Sequence, residues 1–511
     1  MQRQQILDEI KRFEVEMGRE GLAHSVGLKD TINTSAIFSK YEHVFTPMNV
    51  KLLKALLNAS TLESTRRKNL LLYDYLVSCH IGNQLKELSD KANNYETSAT
   101  IKVGGKSVPY RQAAVLVMNQ PDRKKRQQIT ELVKKPKATL TKLNEEALEQ
   151  EYALLKQLTG KDYVGYYEFV KGMKYDRFAD DLRKFLIDTQ GIYTGRLNEI
   201  LAEMKIPIDD ARKHDLGYYN RAHKFDRYFP KNKLLLTLKK TLAGMGFNLD
   251  RQKNIHVDAS ERPNKVPRAF CSTLIVPQEI HLVLKPHGGQ EDYQTILHEA
   301  GHSEHFANTR DDMDYEFKHM GAHSVSESYA FLFEYLLLDP NWLQTYINMP
   351  AKAEREFLQF LWTNKLFFLR RYAGKIVYEV KLHRNDLRKL DEDWKPMREK
   401  YASAADMYAD IFSRAICVKC EGVDYLIDVD SGFYSADYLK AWMFEVQIRK
   451  VLKERFGPTW FTNKKAGAFL KDLWQFGSSG MTQDELAQRI GYDKVDKRYL
   501  IEELLEAFEA H

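Results

Sequence analysis

The segment His298-Glu299-Ala300-Gly301-His302 carries the residue types of a catalytic metal site at helical spacing. Residues four apart lie on one face of a helix, so the imidazoles of His298 and His302 can converge on one cation. Glu299 lies beside them and can reach a water without being a ligand itself. Zinc prefers four tetrahedral positions and keeps one for water in catalytic sites. The pattern therefore predicts a hydrolytic zinc site whose third protein ligand comes from elsewhere in the chain.

Two downstream carboxylates are candidates for that third ligand. A second apolar, helix-like segment, residues 324–335, contains Glu327 near its start and Glu334 two turns later on the same face. A zinc peptidase with a third His would need His at position 308, where this chain has Asn. Ser324 and Glu327 also match a capping box, S-x-x-E, which needs no metal. The residues alone leave Glu327 and Glu334 both open.

Gly301 is unusual inside the predicted active-site helix. A glycine in a helix interior costs about 1 kcal/mol relative to alanine. We expect this position to be approached closely by a backbone, a metal or a substrate.

The whole segment from His298 to His305, H-E-A-G-H-S-E-H, resembles the H-E-x-G-H-x-x-H motif of the thimet oligopeptidase and oligoendopeptidase F family of zinc metallopeptidases. The third ligand of that family is a Glu that opens an E-x-x-x-x-x-x-E segment about 25 residues downstream. Glu327 and Glu334 match its two ends. The resemblance implies one Zn²⁺ per chain, held by His298, His302 and Glu327, as in the gluzincins.

A later segment, residues 432–438, is similar to the family's tyrosine segment, whose hydroxyls face the metal. It implies that Tyr434 and Tyr438, four residues apart, help to stabilise the oxyanion. The alternative for each is a packed aromatic ring whose hydroxyl is satisfied elsewhere. Family members usually carry a His shortly before these tyrosines and a further Tyr after them. This chain has no His there and has Ala at position 441. The resemblance covers about residues 265–500, and the chain is short for the family.

Composition predicts a mainly α fold. Glycine and proline number only 26 and 14 in 511 residues, and 43% of the residues are hydrophobic. Few breakers favour long helices, and the apolar content suffices for a large core. Short β segments are expected at residues 99–109, around Gly104-Gly105, and at residues 270–284, just before the active-site helix. The family resemblance also implies two helical lobes that enclose a deep channel.

We expect two domains: residues 1–210 as an N-terminal helical lobe with the short hairpin, and residues 211–511 as the catalytic lobe. The net charge of +6 is weak for this length and does not indicate nucleic acid. The N-terminus has no apolar leader, and no stretch is long and apolar enough for a membrane span, so we expect a cytoplasmic protein. The motif Cys417-x-x-Cys420 lacks a partner pair for zinc, and we expect ordinary reduced thiols.

The hypothesis is therefore a zinc metalloendopeptidase that cleaves internal bonds of short peptides through a metal-activated water, with Glu299 as general base. The strands at 270–284 are placed to pair with an extended substrate. His281 and His287 are expected to be structural or surface residues. One alternative is a related helical zinc carboxypeptidase. The other is a non-enzymatic helical scaffold that uses the basic residues of the 123–137 segment to bind an anionic partner. The oligomeric state is left open.

Overall fold

Helices make up most of the chain, as the composition predicts. A computed structural model describes residues 1–262 and 264–510. The helices are Arg3–Ser25 (α1), Thr34–Tyr41 (α2), Pro47–Ala59 (α3), Glu63–Ser98 (α4), Ala113–Asn119 (α5), Arg123–Thr159 (α6), Tyr163–Lys171 (α7), Tyr175–Asp188 (α8), Gln190–Glu203 (α9), Lys213–Asn220 (α10), Leu234–Gly244 (α11), Gln290–Ala307 (α12), Tyr315–His319 (α13), Ser324–Glu334 (α14), Pro340–Trp342 (α15), Ala351–His383 (α16), Ala404–Ile416 (α17), Tyr434–Phe456 (α18), Lys464–Trp474 (α19), Gln483–Ile490 (α20) and Lys497–Ala510 (α21). Several short 3₁₀ turns connect them.

The strands form three small sheets. They are Thr100–Val103 (β1), Lys106–Pro109 (β2), Ile255–Asp258 (β3), Phe270–Ile275 (β4), Glu279–Val283 (β5), Arg388–Leu390 (β6) and Pro396–Lys400 (β7). The sheet that precedes the active-site helix has the order β3-β5-β4, with β3 parallel and β4 antiparallel to β5. β4 is therefore an edge strand, and the helix α12 follows β5 after a short loop.

The predicted hairpin at residues 99–109 is confirmed. β1 pairs antiparallel with β2, and its two-residue turn is Gly104-Gly105, both with positive φ (55° and 81°). Positive φ at both turn positions matches the twist of the strands and favours glycine. The hairpin β6–β7 is not predicted by the sequence, because its strands are short, charged and largely exposed and so lack an apolar alternation.

The chain divides into two units, each built from separate stretches. The first comprises residues 1–83, 223–362 and 437–511, and the second comprises residues 84–222 and 363–436. The predicted domain boundary between residues 210 and 211 falls inside the second unit, and the division into lobes stays a prediction, as does the enclosed channel.

Each unit has its own buried core. Large aromatic side chains, Trp342, Trp460 and Trp474, are fully buried in the first unit. In the second unit, Tyr378, Tyr408 and Phe412 pack ring against ring, with Tyr408 stacked on Phe412 at 4.1 Å between centroids. Such aromatic pairs add to the burial of apolar area. No helix in the described ranges combines the length and the apolar run needed to cross a bilayer.

Helix α12, which carries the H-E-x-x-H pattern, packs directly on α14 within the first unit. The loop before α12 turns at Gly289 (φ +100°), and Asp292 in the first turn accepts hydrogen bonds from the backbone of His287 and Gly288. At Gly301 a β-carbon would lie 2.5 Å from the carbonyl oxygen of Tyr329 and 2.6 Å from Cα of Ala330. The sequence expectation of a close approach at Gly301 is confirmed, and the neighbour is the backbone of α14.

We predict that Gly301→Ala lowers the thermal unfolding midpoint of the metal-free protein, because the new methyl group meets rigid backbone. Overpacking of this kind costs about 1–3 kcal/mol. Gly21→Ala in α1 is the matched control, since a β-carbon there meets nothing within 4 Å, and it should leave the midpoint unchanged or raise it. Equal midpoints for the two variants would contradict the proposed helix contact.

Candidate metal centre and active site

Three side chains of the first unit converge as the sequence predicts. His298 and His302 project from α12, and Glu327 projects from the first turn of α14. The Glu327 carboxylate Oε2 lies 3.3 Å from Nε2 of His298 and 3.6 Å from Nε2 of His302. One ligand atom from each residue lies within 4.8 Å of the other two. In the described part of the chain, no other cluster of His, Cys, Asp and Glu meets this geometry.

The distances fit a tetrahedral zinc site. Zinc binds imidazole nitrogen and carboxylate oxygen at about 2.0–2.1 Å, so neighbouring ligand atoms of a tetrahedron lie about 3.3–3.4 Å apart. The two distances from Glu327 Oε2 lie close to this value. Two imidazoles and one carboxylate also form the ligand set of a catalytic zinc site with one position open to water. The residues present therefore fit the metal that the resemblance implies.

The second nitrogen of each imidazole is held by a partner on α14. His298 Nδ1 lies 2.8 Å from Oε2 of Glu334, and His302 Nδ1 lies 2.7 Å from Oγ of Ser326. Gln294 in turn donates from Nε2 to the other oxygen of Glu334 at 2.7 Å. Such partners orient an imidazole and leave Nε2 for the metal. Glu334 therefore contacts the Nδ1 side of His298 and does not lie beside the Nε2 atoms that face Glu327.

Glu299 is held by the edge strand. Its Oε2 accepts a hydrogen bond of 2.8 Å from the backbone N–H of Cys271 in β4. The carboxylate is half-buried on the same helix as the two histidines. A fixed carboxylate one residue from a ligand histidine is placed to take a proton from a water at the metal.

The charges of the site are strongly coupled. Burial alone would lower the pKa of His298, but its contacts with Glu327 and Glu334 outweigh burial and hold that pKa well above its ordinary value. Burial would likewise raise the pKa of Glu327, and the two imidazoles reverse this and hold it well below the usual range. The two carboxylates therefore favour the protonated imidazole of His298, and a metal bound at this position would replace that proton.

The two predicted tyrosines lie in different units. Tyr438 belongs to the first unit, where its half-exposed ring contacts Phe331, 5.7 Å between centroids. Phe331 in turn packs edge-on against His298, at 5.1 Å. Tyr434 begins α18 but belongs to the second unit. The role of both hydroxyls stays a prediction.

The remaining histidines near the motif are not in the ligand group. His305 is fully buried against the ring of Tyr329, and burial lowers its pKa to about 3. His281 stacks on His256 and lies 3.2 Å from Glu279, in line with a structural role.

Two contacts of the site are not predicted by the sequence, and the structure removes the alternative role of Glu327 in a capping box. Ser326 and the amide of Cys271 orient His302 and Glu299, but a serine and a backbone N–H carry no recognisable signal in a sequence. The capping box at Ser324 and Glu327 does not form, since His323 occupies the N-cap and no side chain caps α14. Glu327 is therefore turned toward the histidines, not toward the start of its helix.

Comparisons with known proteins establish the fold. No protein-family model matches the chain, and no curated protein matches it by sequence. A solved structure of a candidate oligoendopeptidase F from Bacillus anthracis strain Ames matches with a TM-score of 0.67 and 14% identity, covering 98% of this chain and 90% of that one. A Pz peptidase A with an inhibitor matches with the same TM-score, the same identity and the same coverage of both chains. A candidate peptidase from Chlamydophila abortus has a TM-score of 0.64 and 13% identity, over 99% and 89% of the two chains. The chain has the fold of the oligoendopeptidase F and Pz peptidase structures, as the resemblance predicts.

We predict that Glu334→Ala weakens zinc binding about 10–100-fold, because His298 loses the partner that fixes its ring. Competition with a chromogenic chelator measures the affinity. Glu291→Ala, at an exposed position in the first turn of the same helix, is the control and should bind zinc as the wild type does. An unchanged affinity in Glu334→Ala would show that this carboxylate does not support the site.

The raised pKa of His298 predicts that zinc binding releases a proton at pH 7. The neighbouring carboxylates favour the protonated form of the metal-free imidazole, which must lose its proton to become a ligand, so zinc affinity should rise with pH. Titration calorimetry in buffers of different ionisation enthalpy counts the protons. We expect about one per zinc in the wild type and fewer in Glu334→Ala. Zinc binding without proton release in the wild type would contradict the described charge state.

Proposed function

We propose that the chain is a zinc-dependent oligopeptidase that hydrolyses internal bonds of short peptides. The observation that supports this best is the convergence of His298, His302 and Glu327, with Glu299 beside them, within a fold shared with oligoendopeptidase F and Pz peptidase structures. A merely structural zinc would need no carboxylate in the position of Glu299.

His298, His302 and Glu327 would hold the metal through Nε2, Nε2 and a carboxylate oxygen. A zinc ion in such a site acidifies water and polarises a carbonyl group. Ser326 and Glu334 hold the two imidazoles in the orientation that binding requires.

Glu299 acts as the general base in this proposal. The amide of Cys271 holds its Oε2, which leaves Oε1 to take a proton from the attacking water. The same carboxylic acid then donates the proton to the leaving amine. Tyr438, in the same unit as the histidines, is the proposed hydroxyl donor to the oxyanion, and a donor of this kind contributes about 3–4 kcal/mol.

The edge strand β4 is the proposed site for the peptide backbone. A peptide in extended conformation can add to the open side of an edge strand through main-chain hydrogen bonds. Residues 270–273 of β4 are half-exposed, whereas Leu274 is buried close to Gly18 of α1. The substrate would therefore pair with the first part of the strand, which also carries the amide that holds Glu299.

Ion pairs within the protein weaken the alternative of a non-enzymatic scaffold that binds an anionic partner through the 123–137 segment. In the second unit, basic residues of the 123–137 segment are paired with carboxylates: Arg126 with Asp215, Lys134 with Glu421 and Lys137 with Asp424. Positive charges that are neutralised within the protein add little to the attraction of an anionic partner.

We predict that Glu299→Gln lowers kcat about 10²–10⁴-fold and keeps one zinc per chain. The assay uses a peptide blocked at both ends, with products identified by mass spectrometry and zinc measured by elemental analysis. The wild type should yield internal fragments, and a chelator should abolish them. The variant should yield almost none.

Two results would overturn the proposal. Turnover of Glu299→Gln at the wild-type rate, in a preparation free of other peptidases, would exclude Glu299 as the base. Removal of single C-terminal residues from unblocked peptides, with no cleavage of blocked ones, would assign the protein as a carboxypeptidase instead.

A further inference from the structure

A cavity of about 620 Å³ lies within the second unit, built only from residues of that unit. Its walls come from the end of α8, the start of α9, the β6–β7 hairpin and the end of α17. Cys417, the residue directly after α17, is one of the residues that line the cavity. This volume is in the range of small-molecule sites in proteins. The cavity plays no part in the proposed hydrolysis.

Two N–H donors are directed at the Cys417 sulfur. Gln190 Nε2 lies 3.2 Å from Sγ, and Arg370 Nη2 lies 4.0 Å from it. Arg370 is fully buried. Among the residues that the structure describes, no carboxylate lies within salt-bridge distance of its guanidinium, which binds carbonyl, hydroxyl and amide oxygens. The thiol itself donates to the carbonyl oxygen of Arg414 at 3.6 Å, so these contacts fix the position of the sulfur.

The lining of this cavity includes none of the other three cysteines. Burial raises the pKa of Cys271 to about 12 and of Cys420 to about 11, and it raises the pKa of Cys79 further still. Cys420 and Cys79 are also buried. Cys417 is half-exposed and faces open space in the cavity. Among the four cysteines, it is the one placed to react with a small molecule.

The walls of the cavity carry both signs of charge. Arg414 and Lys419 are basic, whereas Asp209, Glu392 and Asp393 are acidic. Arg414 also lies over the ring of Trp394, 4.2 Å from its centroid, which fixes the guanidinium at the wall. A small molecule with both carboxylate and ammonium groups would be complementary to this lining.

We propose that the cavity is a binding and modification site at which Cys417 forms a mixed disulfide with a small zwitterionic thiol. The Cys417 thiolate attacks one sulfur of that compound's disulfide, R–S–S–R. A new S–S bond joins Cys417 to that sulfur and gives Cys417–S–S–R, the original S–S bond of the compound breaks, and R–S⁻ leaves with its electron pair. The released thiolate takes up the proton that Cys417 has lost, so no further oxidant is needed. A thiol in excess reverses the exchange.

The test uses oxidised glutathione as the probe and the full chain with Cys420→Ser as the background, so that Cys420 cannot displace the adduct. Intact-mass and peptide-mass spectrometry should find one glutathione per chain, on Cys417, which dithiothreitol removes. The double variant Cys417→Ser, Cys420→Ser should gain no glutathione under the same conditions. No adduct under conditions that modify a free thiol, or equally rapid modification of Cys79 or Cys271, would overturn the proposal.

A second experiment distinguishes binding of the disulfide by the cavity from mere accessibility of the Cys417 thiol. Lys419 is exposed, so Lys419→Glu should fold normally while it changes the charge at the cavity wall. We expect the rate with oxidised glutathione to fall about threefold to tenfold and the rate with the neutral bis(2-hydroxyethyl) disulfide to stay the same. Equal changes in both rates would show an accessible thiol without a binding site.

Discussion

The close contact between α12 and α14 at Gly301 is the constraint on which the site depends. The absence of a side chain lets the backbone at Tyr329 and Ala330 approach to a distance that any β-carbon would prevent. This approach brings α14 alongside the imidazoles of α12, so Glu327 and Ser326 near its start and Glu334 at its end reach His298 and His302 together. The helix-interior glycine is unfavourable for α12 alone and is explained by this pairing.

The site is held on three sides by elements of one unit. α12 supplies both imidazoles and Glu299, α14 supplies the carboxylate and the groups behind the rings, and β4 fixes Glu299 through a backbone amide. Helices and a strand place these atoms more firmly than loops would, as the proposed hydrolysis would require. The edge strand has a double role in this account, since it orients the base and offers its open side to the substrate.

The sequence predicted the parts of the site that depend on spacing along one helix. His298, His302 and Glu299 follow from a periodicity of 3.6 residues, and the hairpin at Gly104-Gly105 follows from turn chemistry. The choice of Glu327 over Glu334 needed the family resemblance, because only tertiary packing decides which carboxylate faces the Nε2 atoms. Ser326 and the Cys271 amide could not be predicted, since their roles arise from contacts between elements distant in sequence. The hairpin β6–β7 was not predicted, because charged, exposed strands carry no apolar pattern.

The central claim is that one metal ion is bound by two imidazoles and one carboxylate. X-ray absorption at the zinc edge of the zinc-loaded protein tests it most directly. The account predicts nitrogen and oxygen ligands at about 2.0–2.1 Å, with the multiple scattering of two imidazoles and no sulfur. A sulfur ligand at about 2.3 Å would place the zinc at cysteines such as Cys417 and Cys420, and would contradict the proposed centre.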